Sequence, residues 1–209
     1  MSDRTDEETL ELIREWLQQY GLTIIVGIVF GLGAIGGYRY WQNQKMVQRN
    51  TASAQLETVL EALEHDNLQA ATATYDLLLK EGGEIAEMAA INMAPAYAKA
   101  GKNDEAQSTL KIAIASKDDL LAQNARWQLA SLSVERGSYD EALQYIEQLQ
   151  NSVYAAQAAT LQGYVYEKQG KLTEALQAYQ QSQQLMPSSA TMLQINALQA
   201  QQAVKEGNA

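Results

Sequence analysis

Residues 161–187, LQGYVYEKQGKLTEALQAYQQSQQLMP, decide the fold. Ala, Leu, Gln and Glu dominate the stretch, and these residues lose little on entering a helix. Gly170 falls in the middle, where a residue able to take positive φ is needed to close one helix and cap its carbonyls. Thr173 then starts the next helix, with Glu174 near the positive end of its dipole. Ala175 stands where the two helices cross, because a larger side chain would push the backbones apart, and Gly163, twelve residues earlier, supplies the other half of that close approach. The stretch reads as one helical hairpin.

The same pattern recurs upstream. HDNLQA at 65–70, GKNDEA at 101–106, GSYDEA at 137–142 and GKLTEA at 170–175 place Ala70, Ala106, Ala142 and Ala175 at separations of 36, 36 and 33 residues. In a helical chain such a period means stacked hairpins. Gly101 and Gly137 repeat the helix-ending role, Asp104 and Asp140 the helix-starting role, and Ala94 and Ala130 the small partner twelve residues before the crossing. His65 stands where the first unit should have its glycine. Pro95 lies inside the first helix of its repeat, where a missing N–H predicts a bend, and residues 81–84, EGGE, form the most flexible joint. Residues 188–204, with Met192, Leu193, Ile195, Leu198 and Val204, read as a closing helix that covers the last hairpin. These units resemble tetratricopeptide repeats, the last most closely through Gly163, Tyr166, Gly170, Ala175, Tyr179 and Pro187.

In front of the repeats, residues 16–38, WLQQYGLTIIVGIVFGLGAIGGY, carry no formal charge. As a helix rising 1.5 Å per residue they would reach roughly 35 Å, enough for a hydrocarbon layer of roughly 30 Å. Trp16 and Tyr20 at one edge, and Tyr38, Tyr40 and Trp41 at the other, suit the headgroup level. The glycine density, uncommon in water-soluble helices, is accepted in membranes. Gly27 with Gly31, and Gly33 with Gly37, form two GxxxG spacings on which another helix could pack closely; a merely glycine-rich span is the alternative. A cleaved signal peptide would open with basic residues, whereas residues 1–15 carry six acidic residues against two arginines. That tail is either a solvated acidic segment or, over residues 5–19, a short helix with Leu10, Ile13 and Leu17 along one face. No Gly or Pro interrupts the residues after Trp41, so the span should continue into the first helix of the repeat domain. The expected organisation is an acidic tail at 1–20, a transmembrane helix at 21–41, and an all-α repeat domain with its C-terminal capping helix at 42–209.

The chain holds 15 Lys plus Arg against 25 Asp plus Glu, a net charge of −10, with no basic run, so its field repels nucleic acid. It has no cysteine, which removes disulfides and thiolate chemistry. His65, the only histidine, cannot form a metal site alone. The pairs Asp104/Glu105, Asp118/Asp119 and Asp140/Glu141 sit at expected helix starts, where carboxylates belong for capping. No phosphate loop, nucleophile elbow or HExxH is present. We therefore expect no enzyme, no cofactor and no metal.

The acidic tail, the Gly-rich span ending in Tyr38, Arg39, Tyr40 and Trp41, and the divergent repeats together resemble the YfgM family, ancillary subunits of the bacterial Sec translocon. The resemblance implies an inner-membrane, single-pass protein with a cytoplasmic N-terminus and a periplasmic repeat domain. It further implies the translocon SecYEG, the chaperone PpiD and unfolded secreted chains as partners, hand-over of emerging chains to periplasmic chaperones, and a tail linked to restraint of the stress regulator RcsB. In tetratricopeptide repeats the first helix of each hairpin lines the concave face, and the corresponding positions are Met88, Ile91, Trp127, Tyr164 and Glu167. They suit an extended peptide; packing of Trp127 and Ile91 between hairpins is the alternative. The flanking charges run the other way: Arg39, Lys45 and Arg49 follow the span while Arg14 and Arg4 precede it, which the positive-inside preference would read as a cytoplasmic repeat domain. A cytoplasm-facing adaptor or scaffold for a signalling or assembly complex is therefore the second reading.

Overall fold

The computed structural model describes residues 6–207, and among them there are nine helices and no strand. The chain divides into one unit ending at Thr51 and another beginning at Ala52. α1 (Asp6–Glu64) runs without a break through the charge-free stretch to the first repeat, as the lack of Gly and Pro after Trp41 predicts. The tail is helical from Asp6, with Ile13 and Arg14 exposed; residues 1–5 and the side chains of Leu10 and Leu17 lie outside the described residues. Phe30, Leu32, Ile35, Tyr38, Tyr40 and Trp41 are all exposed. A Cβ built on Gly27, Gly31, Gly33 or Gly37 would meet nothing within 4 Å. Among the described residues no helix is long and apolar enough to cross a membrane. The side chains of residues 22–26, 28 and 29, the most apolar part of the run, lie outside that set.

The second unit is the repeat stack. The last turns of α1 pair with α2 (Leu68–Glu81), and α3 (Glu84–Lys99) with α4 (Asn103–Ile114). The pairs α5 (Asp119–Glu135) with α6 (Tyr139–Glu147) and α7 (Ala155–Lys168) with α8 (Leu172–Leu185) follow, and α9 (Ser189–Gly207) closes the stack. The first helices α3, α5 and α7 also touch one another in turn. α3 remains a single helix across exposed Pro95.

Gly101, Gly137 and Gly170 take φ of 75°, 72° and 76°. The amide after each donates back to the closing turn: Lys102 to the Tyr97 carbonyl at 2.9 Å, Ser138 to Ser133 at 2.8 Å, Lys171 to Tyr166 at 2.9 Å. Each residue so bonded is also the N-cap of the next helix, and none of the three uses its side chain as a cap. Asp104, Asp140 and Thr173 are therefore not caps. They are the second residue of each helix, two positions past the N-cap, where the two carboxylates favour the dipole without bonding the end.

The first unit is shifted by one residue from its expected register. Asp66, not His65, takes the positive φ, 53°, and the Asn67 amide makes the equivalent bond to the Ala62 carbonyl at 2.8 Å. Asn67 caps α2 with its side chain, accepting from the Ala70 amide at 3.1 Å. The crossing alanine is then Ala71, fully buried, while Ala70 is exposed. Aspartate tolerates the left-handed region better than most side chains, so this turn closes without glycine.

The crossings are tight. Ala94, Ala106, Ala130, Ala142 and Ala175 are buried, and a Cβ on Gly163 would overlap the Tyr179 ring. Around them Val59, Tyr75, Leu78, Met93, Leu110, Leu129, Ile146 and Leu149 fill the interior, each aliphatic side chain contributing roughly 1.5–3 kcal/mol over exposure. α9 covers α8 with Ile195 and Leu198, but Met192, Leu193 and Val204, expected beneath it, are exposed.

Candidate binding groove

α5 supplies the first wall. Its start is fixed by Asp118, whose carboxylate accepts from the Leu120 amide at 2.8 Å and the Leu121 amide at 3.2 Å. Two turns on, Trp127 stacks on Tyr154 with ring centroids 6.1 Å apart and planes at 11°. A polar ladder holds that pair. Asn124 donates to the Tyr154 hydroxyl at 2.9 Å, and Gln128 donates both to Asn124 at 2.8 Å and to the Ile91 carbonyl of α3 at 3.2 Å. Three repeats are thereby tied together beside the Trp127 indole.

α7 and α8 supply the floor. Thr160 donates to the Ala156 carbonyl at 3.1 Å, so the Ser182 hydroxyl 2.6 Å away donates to Thr160. Tyr179 donates to Glu167 at 3.2 Å. Burial above all, then the neighbouring Glu167 charge, pushes the Tyr179 phenol well above its ordinary pKa, so it stays protonated. Pro187 disfavours helix for the residue before it, and Met186 is extended, at φ −148° and ψ 100°. α9 closes the far side with Ala190, Thr191 and Gln194.

These elements enclose a groove of about 480 Å³. Trp127, Leu161, Tyr164 and Met186 are its apolar contacts, Gln157, Thr160, Ser188, Thr191 and Gln194 its polar ones, and among the described residues no charged one lines it. A second groove of about 650 Å³ lies beside it over the α5–α6 turn and does hold charge, Glu135 and Lys168. Leu161 and Tyr164 line both and form the ridge between them. Tyr164 is 40% exposed, with the Lys168 ammonium 5.1 Å from its ring centre.

Of the five positions expected on the concave face, the structure brings Trp127 and Tyr164 to one groove, Trp127 while also packing against the core beside Ala130 and Ile146. Met88 is exposed on α3 but lines neither groove, Ile91 packs against the core, and Glu167 is bonded to Tyr179. Met186, Thr191 and Gln194 were not foreseen as lining, although Pro187 signals the extended residue before it. The acidic pairs remain at helix starts, and among the described residues no cluster of His, Asp and Glu could hold a metal ion. An uncharged groove of this size with rigid rings and hydroxyl and amide edges can take an extended, uncharged peptide segment.

The profile of the tetratricopeptide repeat-like domain matches residues 14–202. A Haemophilus influenzae protein named ancillary SecYEG translocon subunit is 27% identical over 86% of this chain and 89% of its own length. Its Aggregatibacter actinomycetemcomitans namesake is 27% identical over the same shares, and the Escherichia coli one 20% over 91% and 94%. These relatives bear out the resemblance to the YfgM family. Among solved structures, MamA from Desulfovibrio magneticus matches 73% of this chain and 85% of its own with a TM-score of 0.60 at 17% identity. A tetratricopeptide repeat protein from Parabacteroides merdae matches 71% and 59% with a TM-score of 0.63 at 16% identity. Both likenesses concern the fold.

Proposed function

This chain belongs to the tetratricopeptide repeat-like domain family, and we propose that it is a membrane-anchored, non-enzymatic binding subunit of the Sec translocon. Its repeat domain, facing the periplasm, receives newly translocated chains and passes them to periplasmic chaperones, in company with a PpiD-like protein. The acidic N-terminal tail stays in the cytoplasm and restrains an RcsB-type regulator. The observation that carries the translocon association is the likeness, over nearly the whole of both chains, to proteins named ancillary SecYEG translocon subunit. The uncharged groove at Trp127 and Tyr164 supports client binding, since an unfolded segment offers apolar side chains and free backbone groups to such walls.

Residues 16–38 support the anchor. Their exposed Phe30, Leu32 and Ile35 are apolar surface that lipid would cover, and Lys45 sits 3.8 Å over the Trp41 ring at the edge, a pairing suited to the headgroup level. Open glycine faces at Gly27/Gly31 and Gly33/Gly37 offer a seat for a partner helix in the bilayer.

A cytoplasm-facing adaptor is the second reading, favoured by Arg39, Lys45 and Arg49 following the run. Protease treatment of intact spheroplasts, with a tag at Ala209, separates the two. Digestion before lysis supports the periplasmic reading; protection until lysis overturns it in favour of the adaptor.

A further inference from the structure

The last helix of a repeat stack normally presents a polar outer face to water. α9 does not. Thr191, Ile195 and Leu198 are buried on its inner side, and on the opposite side Leu193, Ala197, Ala200 and Val204 form an exposed apolar stripe, Leu193 at 68% and Val204 at 63% exposure. No formal charge occurs anywhere from residue 175 to residue 204, in a chain whose net charge is −10.

The stripe has a symmetry of its own. Its steps are 4, 3 and 4 residues, large, small, small, large, so it reads the same from either end about the point between Leu198 and Gln199. We propose that this face pairs with the same face of a second copy, antiparallel, about a twofold axis through that point. In such an isologous contact Leu193 meets Val204 of the second copy, and Ala197 meets its Ala200, so large faces large at the ends and the two alanines let the backbones approach at the middle. Charge selects the occupant as well. Two copies this acidic repel one another over most of their surfaces, and the uncharged α8–α9 end is where that repulsion is least. One helix pair falls at the low end of interface sizes, below roughly 1,200 Å², so the association is weak and reversible.

The chain has no cysteine, so introduced thiols are the only ones present. Full-length Leu193→Cys and Val204→Cys chains, differently tagged and mixed in detergent, should form a mixed disulfide under mild oxidation, while either alone, or a Gln180→Cys control on exposed α8, forms little. Adding Ala197→Glu to both chains should reduce the mixed product by about tenfold or more, because it sets like charges across the axis. All these positions are exposed, so an unchanged melting temperature confirms that the fold survives. A mixed product no greater than the control, a dominant Leu193→Cys homodimer, or indifference to Ala197→Glu overturns the proposal.

Discussion

Gly163 and Tyr179 share one space: a Cβ on Gly163 would lie 2.8 Å from Cδ1 and Cε1 of the Tyr179 ring. The ring is buried and its hydroxyl is bonded to Glu167, so it has little room to retreat. Gly163→Ala gains about 1 kcal/mol of helix propensity and loses about 1–3 kcal/mol to overpacking. The expected outcome is a lower melting temperature by circular dichroism. A rise would show that the ring yields and that the crossing is looser than its geometry.

The turns offer a paired test of register. Gly137, at φ 72° with open space around it, should lose about 1–2 kcal/mol on change to Ala, from backbone strain alone. Asp66→Gly relieves the same strain and gives up only an exposed ion pair with Lys99, whose ammonium holds the Asp66 carboxyl below its ordinary pKa. Its melting temperature should stay the same or rise. A fall as large as that of Gly137→Ala would contradict the placement of Asp66 as the first unit's turn residue.

Tyr75 gives a pH dependence. Its hydroxyl is buried beside Thr109 but makes no hydrogen bond of good geometry, and burial pushes its pKa up to about 12, with the weak Thr109 contact opposing the shift in part. The protonated phenol is the form the fold favours, so this contribution is whole below the unfolded value near 10 and is lost as pH rises towards 12. Denaturant unfolding should therefore show falling stability between those values. Tyr75→Phe should flatten that fall and cost nothing at neutral pH, because it removes an unsatisfied buried hydroxyl. An unchanged pH profile would point to other groups.

The repeat architecture was legible wherever glycine and alanine carried it. Gly101, Gly137 and Gly170 adopt the required φ, and Ala94, Ala130 and Gly163 are buried at crossings, because those positions admit few other residues. The first unit slipped by one because Asp66 reaches the left-handed region without being glycine, which no composition signal marks. The supposed caps failed for a geometric reason: the residue directly after each glycine already serves as N-cap, leaving Asp104 and Asp140 inside. At the groove, Trp127 and Tyr164 could be placed from helix position. Met186 and Gln194 could not, since they come from the turn and closing helix that fold back over α7 and α8. Spacing alone also cannot tell a lining side chain from Ile91, which packs inward.

The measurement that bears most directly on client binding is photo-crosslinking from Met186, half exposed in the groove wall, in full-length protein while secreted chains are being translocated. Binding in the groove predicts adducts with many different nascent secreted chains, reduced by about tenfold or more in the Trp127→Ala, Tyr164→Ala double variant, as loss of two aromatic anchors should do. Adducts undiminished in that variant, with the domain still folded by circular dichroism, would contradict it.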